Sequence, residues 1–227
     1  MEMETGKLCA EGLSFFGKTN RLISHELKNI LAIISETLGL MDELMKLSET
    51  GKTLEPGKLR SLSESIIEEI ERANTIIRNM NTFAHFVDEH ITDVDICRTV
   101  ALIVQITQLD SPLRGTKVVI PDSDTCVVHT SHLFLANLIY HVLCFALRGA
   151  GPENEIRIAS DSNDEGVRIT FSGIASNIIG EFPTRKESLL AEMLSAEVSL
   201  ETAVGELHIE LPKRLGEGHL EGFISNG

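Results

Sequence analysis

The chain has 227 residues, 42% hydrophobic and 24% charged, an ordinary globular mix with room for one large domain or two small ones. A formal net charge of -14 excludes nucleic acid as an expected partner, because so acidic a surface repels phosphate backbones. Its four cysteines form no C-x-x-C pair, which argues against a disulfide framework or a zinc site and fits a reducing compartment.

Residues 1–12 carry acids where a signal peptide needs positive charge, and they are expected to be an N-terminal tail. From there apolar residues recur at Ile23, Leu27, Ile30, Ile34, Leu38, Met41 and Met45, in steps of three and four that define one helical face. The stretch from Leu47 to Lys58 breaks the pattern with two glycines and a proline. A second helical face follows through Leu59, Leu62, Ile66, Ile70, Ala73, Ile77, Met80, Phe83 and Val87, widened by Ile67 and Ile76. Two long helices on a short connection lie antiparallel, so residues 13–92 are expected to form a hairpin. Stripes this broad need more cover than one partner helix gives. A homodimeric four-helix bundle supplies it, and packing of the hairpin on its own C-terminal half is the alternative.

His25 lies ~200° around the first helix from both Ile23 and Leu27, so its imidazole is expected to face solvent. Glu26 is beside it, expected off the apolar stripe as well, and Asn29 is one turn on along the same side. A neutral imidazole is a good nucleophile, a neighbouring carboxylate can hold its tautomer, and an amide one turn away can orient a water. His85 is the competing histidine, without an adjacent acid in the sequence. The others show no ligand spacing, and no metal site is expected.

After Val87 the period changes. A buried helix is expected from Asp95 to Leu109, then strands at Lys117–Ile120 and Cys126–Val128. A helix capped by Thr130 or Ser131 should run to about Leu147; interrupted by Asn137 and His141, its apolar stretch is short of the ~20 residues of a membrane helix. Strands at Ile156–Ile158 and Val167–Phe171 flank a turn. Thr184 and Glu187 form a capping box opening a helix, and a final hairpin spans Ser199–Glu201 and Glu206–Leu211. The fold class is therefore α+β: a helical hairpin, then an α/β domain over 93–213 with helices on one face of a mixed sheet, and a C-terminal tail at 214–227.

The run Ser24-His25-Glu26-Leu27-Lys28-Asn29-Ile30-Leu31 resembles the phosphoacceptor box of bacterial histidine kinases. The resemblance implies that His25 is phosphorylated, that Glu26 assists transfer, and that Asn29 positions water for dephosphorylation of a regulator. The order of elements after Val94 resembles the kinases' ATP-binding domain, and Asn137 to Val142 resembles its asparagine box. There His141 stands in place of the magnesium-binding asparagine. Phe171-Ser172-Gly173-Ile174 lacks the adenine-binding carboxylate, and Arg185 to Leu190 lacks the glycines of the later box.

Triphosphate needs glycine to bring backbone N–H groups close, and magnesium to offset its charge. ATP use is accordingly not expected. No cofactor of the chain's own is expected either, and any magnesium should come with a partner receiver domain. These features point to a cytoplasmic, dimeric histidine phosphotransferase that exchanges phosphoryl groups with response-regulator receivers through His25, without nucleic-acid binding or membrane insertion. Receivers are expected to dock along the first helix near Ala32, Ser35, Glu36 and Gly39. The alternatives are a divergent ATP-dependent histidine kinase and a non-catalytic regulator-binding dimer.

Overall fold

The computed structural model describes residues 2–51, 55–110, 113, 115–121, 125–151, 153–176 and 180–216. It divides into two units, one of residues 19–84 and one of residues 1–18 with 85–227.

The first unit is the hairpin. Helix α1 (Glu2–Glu49) and helix α2 (Pro56–Ala84) contain the two runs of three-and-four spacing; α1 ends shortly before Gly51, and α2 opens with Pro56 in its first turn. Ile23, Ile30, Ile76 and Phe83 are buried. Leu31, Leu38 and Met45 of α1, with Ile67, Ile70 and Ile77 of α2, stay exposed. Ile76, expected only to widen the stripe, is thus buried, and Ile77 is not.

The expected tail at 1–12 is instead the start of α1. The physical reason is packing. A Cβ on Gly12 would touch Leu133 and Phe134, and the Phe15 ring lies 5.3 Å from that of Tyr140. Lys186 reaches Glu11 at 2.5 Å.

In the second unit, a single 3₁₀ turn (His85–Val87) leads into strand β1 (Thr92–Asp95), which the sequence pattern does not announce. Helix α3 (Ile96–Thr107) follows, its N-cap Asp95 accepting the Arg98 N–H at 3.1 Å. Strands β2 (Lys117–Val119) and β3 (Val127–Thr130), helix α4 (His132–Arg148), strands β4 (Glu155–Ser162) and β5 (Gly166–Ser172), helix α5 (Arg185–Met193), and strands β6 (Glu197–Glu201) and β7 (Glu206–Pro212) complete it.

The five-stranded sheet has the order β2-β4-β5-β7-β6, parallel only between β2 and β4; β1 and β3 pair antiparallel apart from it. Ile156, Ile158, Val167, Ile169, Phe171, Leu207 and Ile209 are buried and alternate with outward Arg157 and Arg168. This alternation is the period-2 pattern that made the strands legible. Gly173 (φ +98°) is required by the fold: a Cβ there would run into the Glu155 carbonyl. Arg214 bridges to His129, and Leu215 is buried, so the domain runs past the expected boundary at 213. The rest of the expected tail, 217–227, lies outside the described residues.

Candidate functional site

The chemistry-bearing residues of the hairpin meet on one side of α1. His25 and Asn29 are exposed, and the Asn29 Nδ2 lies 3.3 Å from His25 Nδ1. The same amide donates to Glu26 Oε2 at 3.4 Å. Glu26 departs from expectation. It is 2% exposed, and its other oxygen accepts from the Arg72 guanidinium on α2. Position 26 sits only about 40° from the middle of the face that α1 turns toward α2, so its carboxylate enters the seam rather than solvent. A carboxylate there needs a cation, and Arg72, itself held by Glu69 at 3.3 Å, provides it.

The result is a chain of contacts, Arg72 to Glu26 to Asn29 to His25, in place of a direct carboxylate–imidazole pair. Asn29 therefore selects the tautomer. With its amide nitrogen toward Nδ1, the proton of a neutral His25 sits on Nε2. With its amide oxygen there, the proton sits on Nδ1, and Nε2 presents a lone pair to an incoming phosphorus. Arg72→Ala removes the cation that Glu26 faces. The expected cost is about 2 kcal/mol, reduced from the value for a fully buried pair because Arg72 is 43% exposed. Urea unfolding measures it, and an unchanged midpoint would show that the pair contributes nothing.

The competing His85 is exposed and does have an acid partner, Asp88, whose Oδ2 lies 2.6 Å from its Nδ1. The spacing of three along the 3₁₀ turn is the sequence signal for that pair, which adjacency alone does not report. Ala32, Ser35, Glu36 and Gly39 are all exposed.

In the second unit, the residues that the resemblance placed near a nucleotide lie on α4, just after β5 and at the start of α5. Asn137 is fully buried, and neither of its amide atoms has a hydrogen-bond partner. His141 lies 3.7 Å from Glu187, and burial lowers its pKa to about 4, so it is neutral at neutral pH. The first turn of α5 is already capped: the Lys186 N–H donates to Thr184 Oγ1, and the Thr184 N–H donates to Glu187 at 2.9 Å. Lys186 is tied to Glu11. Gly173 serves the close approach to β4.

An open hollow elsewhere in the unit is lined by Asp161, Arg168, Glu197 and Glu210 and contains none of these residues. Among the described residues, no group of His, Cys, Asp and Glu is placed to hold a metal ion. Among them, no helix is long and apolar enough to cross a membrane.

Residues 18–87 match the His Kinase A (phospho-acceptor) domain. No curated protein matches the chain. Among solved structures, the chain is similar to a bacterial phosphotransferase, with a TM-score of 0.50 and 10% identity over 86% of this chain and 94% of that one. At that identity the likeness is one of fold. It is also similar to the Acinetobacter baumannii histidine kinase AdeS (TM-score 0.45, 11% identity, 83% and 98% of the two chains). A third similar structure is the ATP-binding domain of PrrB from Mycobacterium tuberculosis (0.47, 18%, 55% and 98%).

A phospho-acceptor hairpin followed by an α/β domain is the build of a histidine kinase core. The expectation of a phosphotransferase that dispenses with ATP is corrected on this ground. The hairpin matches the phospho-acceptor domain of histidine kinases, which points to the kinase alternative.

Proposed function

We propose that this chain is a divergent histidine-kinase core of a two-component system, working as a cytoplasmic homodimer, with His25 as the residue that carries the phosphoryl group. The observation that supports it most is the exposed His25, with Asn29 against its Nδ1, inside the stretch that matches a phospho-acceptor domain. On this reading ATP supplies the phosphoryl group when bound. What the chain's own residues do is hold the imidazole. Glu26 and Arg72 fix the Asn29 amide, and Asn29 stands against Nδ1, where it bears on the tautomer and orientation of the ring. Response-regulator receivers take the group onward, docking along α1 beside Ala32, Ser35, Glu36 and Gly39 and bringing their own magnesium.

A neutral His141 and the capped first turn of α5 support the quantitative form of this reading. Nucleotide binding is expected to be weak, and labelling slow. The same closed first turn of α5 favours, as second reading, a dimer that binds regulators without chemistry.

Incubation of the whole chain with magnesium and gamma-labelled ATP, beside His25→Ala, separates them. Acid-labile, alkali-stable label on the wild type and none on the variant is the expected result. Absence of label from both, at saturating ATP and with receiver binding retained, leaves the non-catalytic dimer. Equal label on both would remove His25 from its role.

A further inference from the structure

The second unit places two cysteines together that are 29 positions apart in the chain. Strand β1 pairs antiparallel with β3, Asp95 facing Val127, and the Ile96 N–H donates to the Cys126 carbonyl at 2.8 Å. Cys97 is the next residue, in the first turn of α3. Its Sγ lies 3.4 Å from Ser160 Oγ on β4, and both Ser160 and Cys97 act on the titration of the Cys126 thiol. Cys97 at the start of α3, Cys126 just before β3 and Ser160 on β4 thus lie in one locality. Neither cysteine is in a disulfide, and Cys97 is partly exposed while Cys126 is buried. The backbone bond at Ile96 and the shared neighbour Ser160 bring the two cysteines into one locality.

We propose that Cys97 and Cys126 form a reversible intrachain disulfide when the chain meets a hydroperoxide. The partly exposed Cys97 sulfur attacks the terminal peroxide oxygen. The O–O bond breaks, and Cys97 becomes a sulfenic acid while water or an alcohol leaves. The Cys126 sulfur then attacks the Cys97 sulfur, the S–S bond forms, and the sulfenic oxygen departs as water with the Cys126 proton. Two thiols lose two electrons in all, and the peroxide gains them.

The division of roles follows burial. Removal from water pushes the Cys126 thiol up, which makes it the slower nucleophile and the resolving sulfur. Lys213 counteracts this in part, its positive charge favouring a thiolate at Cys126. The bond would fasten the start of α3 to the residue that leads into β3, next to β1. Such a bond is transient in a reducing compartment, so it is compatible with the lack of a structural disulfide framework.

The test uses the whole reduced chain, treated with hydrogen peroxide, alkylated under denaturing conditions, cleaved with trypsin and weighed. Arg98, Arg114 and Lys117 lie between the two cysteines and give separate peptides. The expected product is one linked pair, about 2 Da lighter than the sum of its peptides, lost on treatment with dithiothreitol and absent from Cys97→Ser. In Cys126→Ser, oxidation is expected to stop at a sulfenic acid on Cys97 that dimedone captures. Full alkylation of both thiols after peroxide would overturn the proposal. So would irreversible sulfinic acid on Cys97 with Cys126 still free, or linkage of Cys97 to the exposed Cys9 instead.

Discussion

Replacing Leu31 and Leu38 together by glutamate is expected to convert a dimer into monomers, read as a halved mass by sedimentation equilibrium. These two leucines are 61% and 52% exposed in the single chain, and Met45 continues their line one heptad further. At ~100° per residue, the three lie about 80° to one side of the α1 face that meets α2. Ile70 and Ile77 lie about 75° from the seam on α2, and because the helices are antiparallel that is the same side of the hairpin. Large apolar residues from both helices therefore flank one open groove. The opposite side carries Arg72 and Asn79 on α2.

One hairpin cannot cover this groove, and a second copy, presenting the same groove, can. Each leucine buried at such a seam is worth about 2 kcal/mol, so four across the two copies amount to about 8 kcal/mol, on the order of a millionfold in dissociation constant. Buried glutamates would oppose association further. A wild-type chain that is already monomeric at micromolar concentration would refute the assignment of this face, and an unaffected dimer would place the interface elsewhere.

The same stripes show how far the sequence carried. Period alone located α1, α2, α3, α4 and the alternating strands β4, β5 and β7, because each buries one face with a strong repeat. It separated the two sides of α2 less well: Ile76 and Ile77 are equally apolar, and only the angle of approach of α1 decides which is buried. His25 was legible as exposed, since its position follows from local geometry. The setting of Glu26 was not, because its partner Arg72 lies 46 positions away on another helix and no local pattern reports it. Strand β1 was missed because four residues reading Thr-Asp-Val-Asp carry little strand signal; pairing with β3 makes the strand. The first dozen residues read as a tail because their polar composition gives no face. Yet Gly12 and Phe15 pack against α4 in the structure.

Lowering the pH from neutrality is expected to destabilise the second unit well before its carboxylates titrate, through two histidines on α4. His132 is stacked against Phe86, with ring centroids 3.4 Å apart, and its Nε2 lies 3.0 Å from Thr99 Oγ1. Burial lowers its pKa from 6.5 to about 4. His141 is lowered equally, first by burial and then by the charge of Lys186, with Glu187 and Glu11 opposing. Above pH 6.5 both imidazoles are neutral whether the chain is folded or not, and they contribute no pH dependence. Between 6.5 and about 4 the unfolded chain binds the proton and the folded chain does not, so stability falls as pH falls.

A tenfold change in proton affinity is worth about 1.4 kcal/mol, which gives about 3 kcal/mol for each histidine at the acid end of the window. Two such losses are comparable with the whole stability of an ordinary domain. Urea midpoints across this range should therefore decline steadily, and His141→Leu should reduce the slope by about half. If the midpoints stay level until carboxylates titrate, the two imidazoles accept protons in the folded state. The stacking of His132 on Phe86 would then coexist with a positive charge, as a cation–π pair.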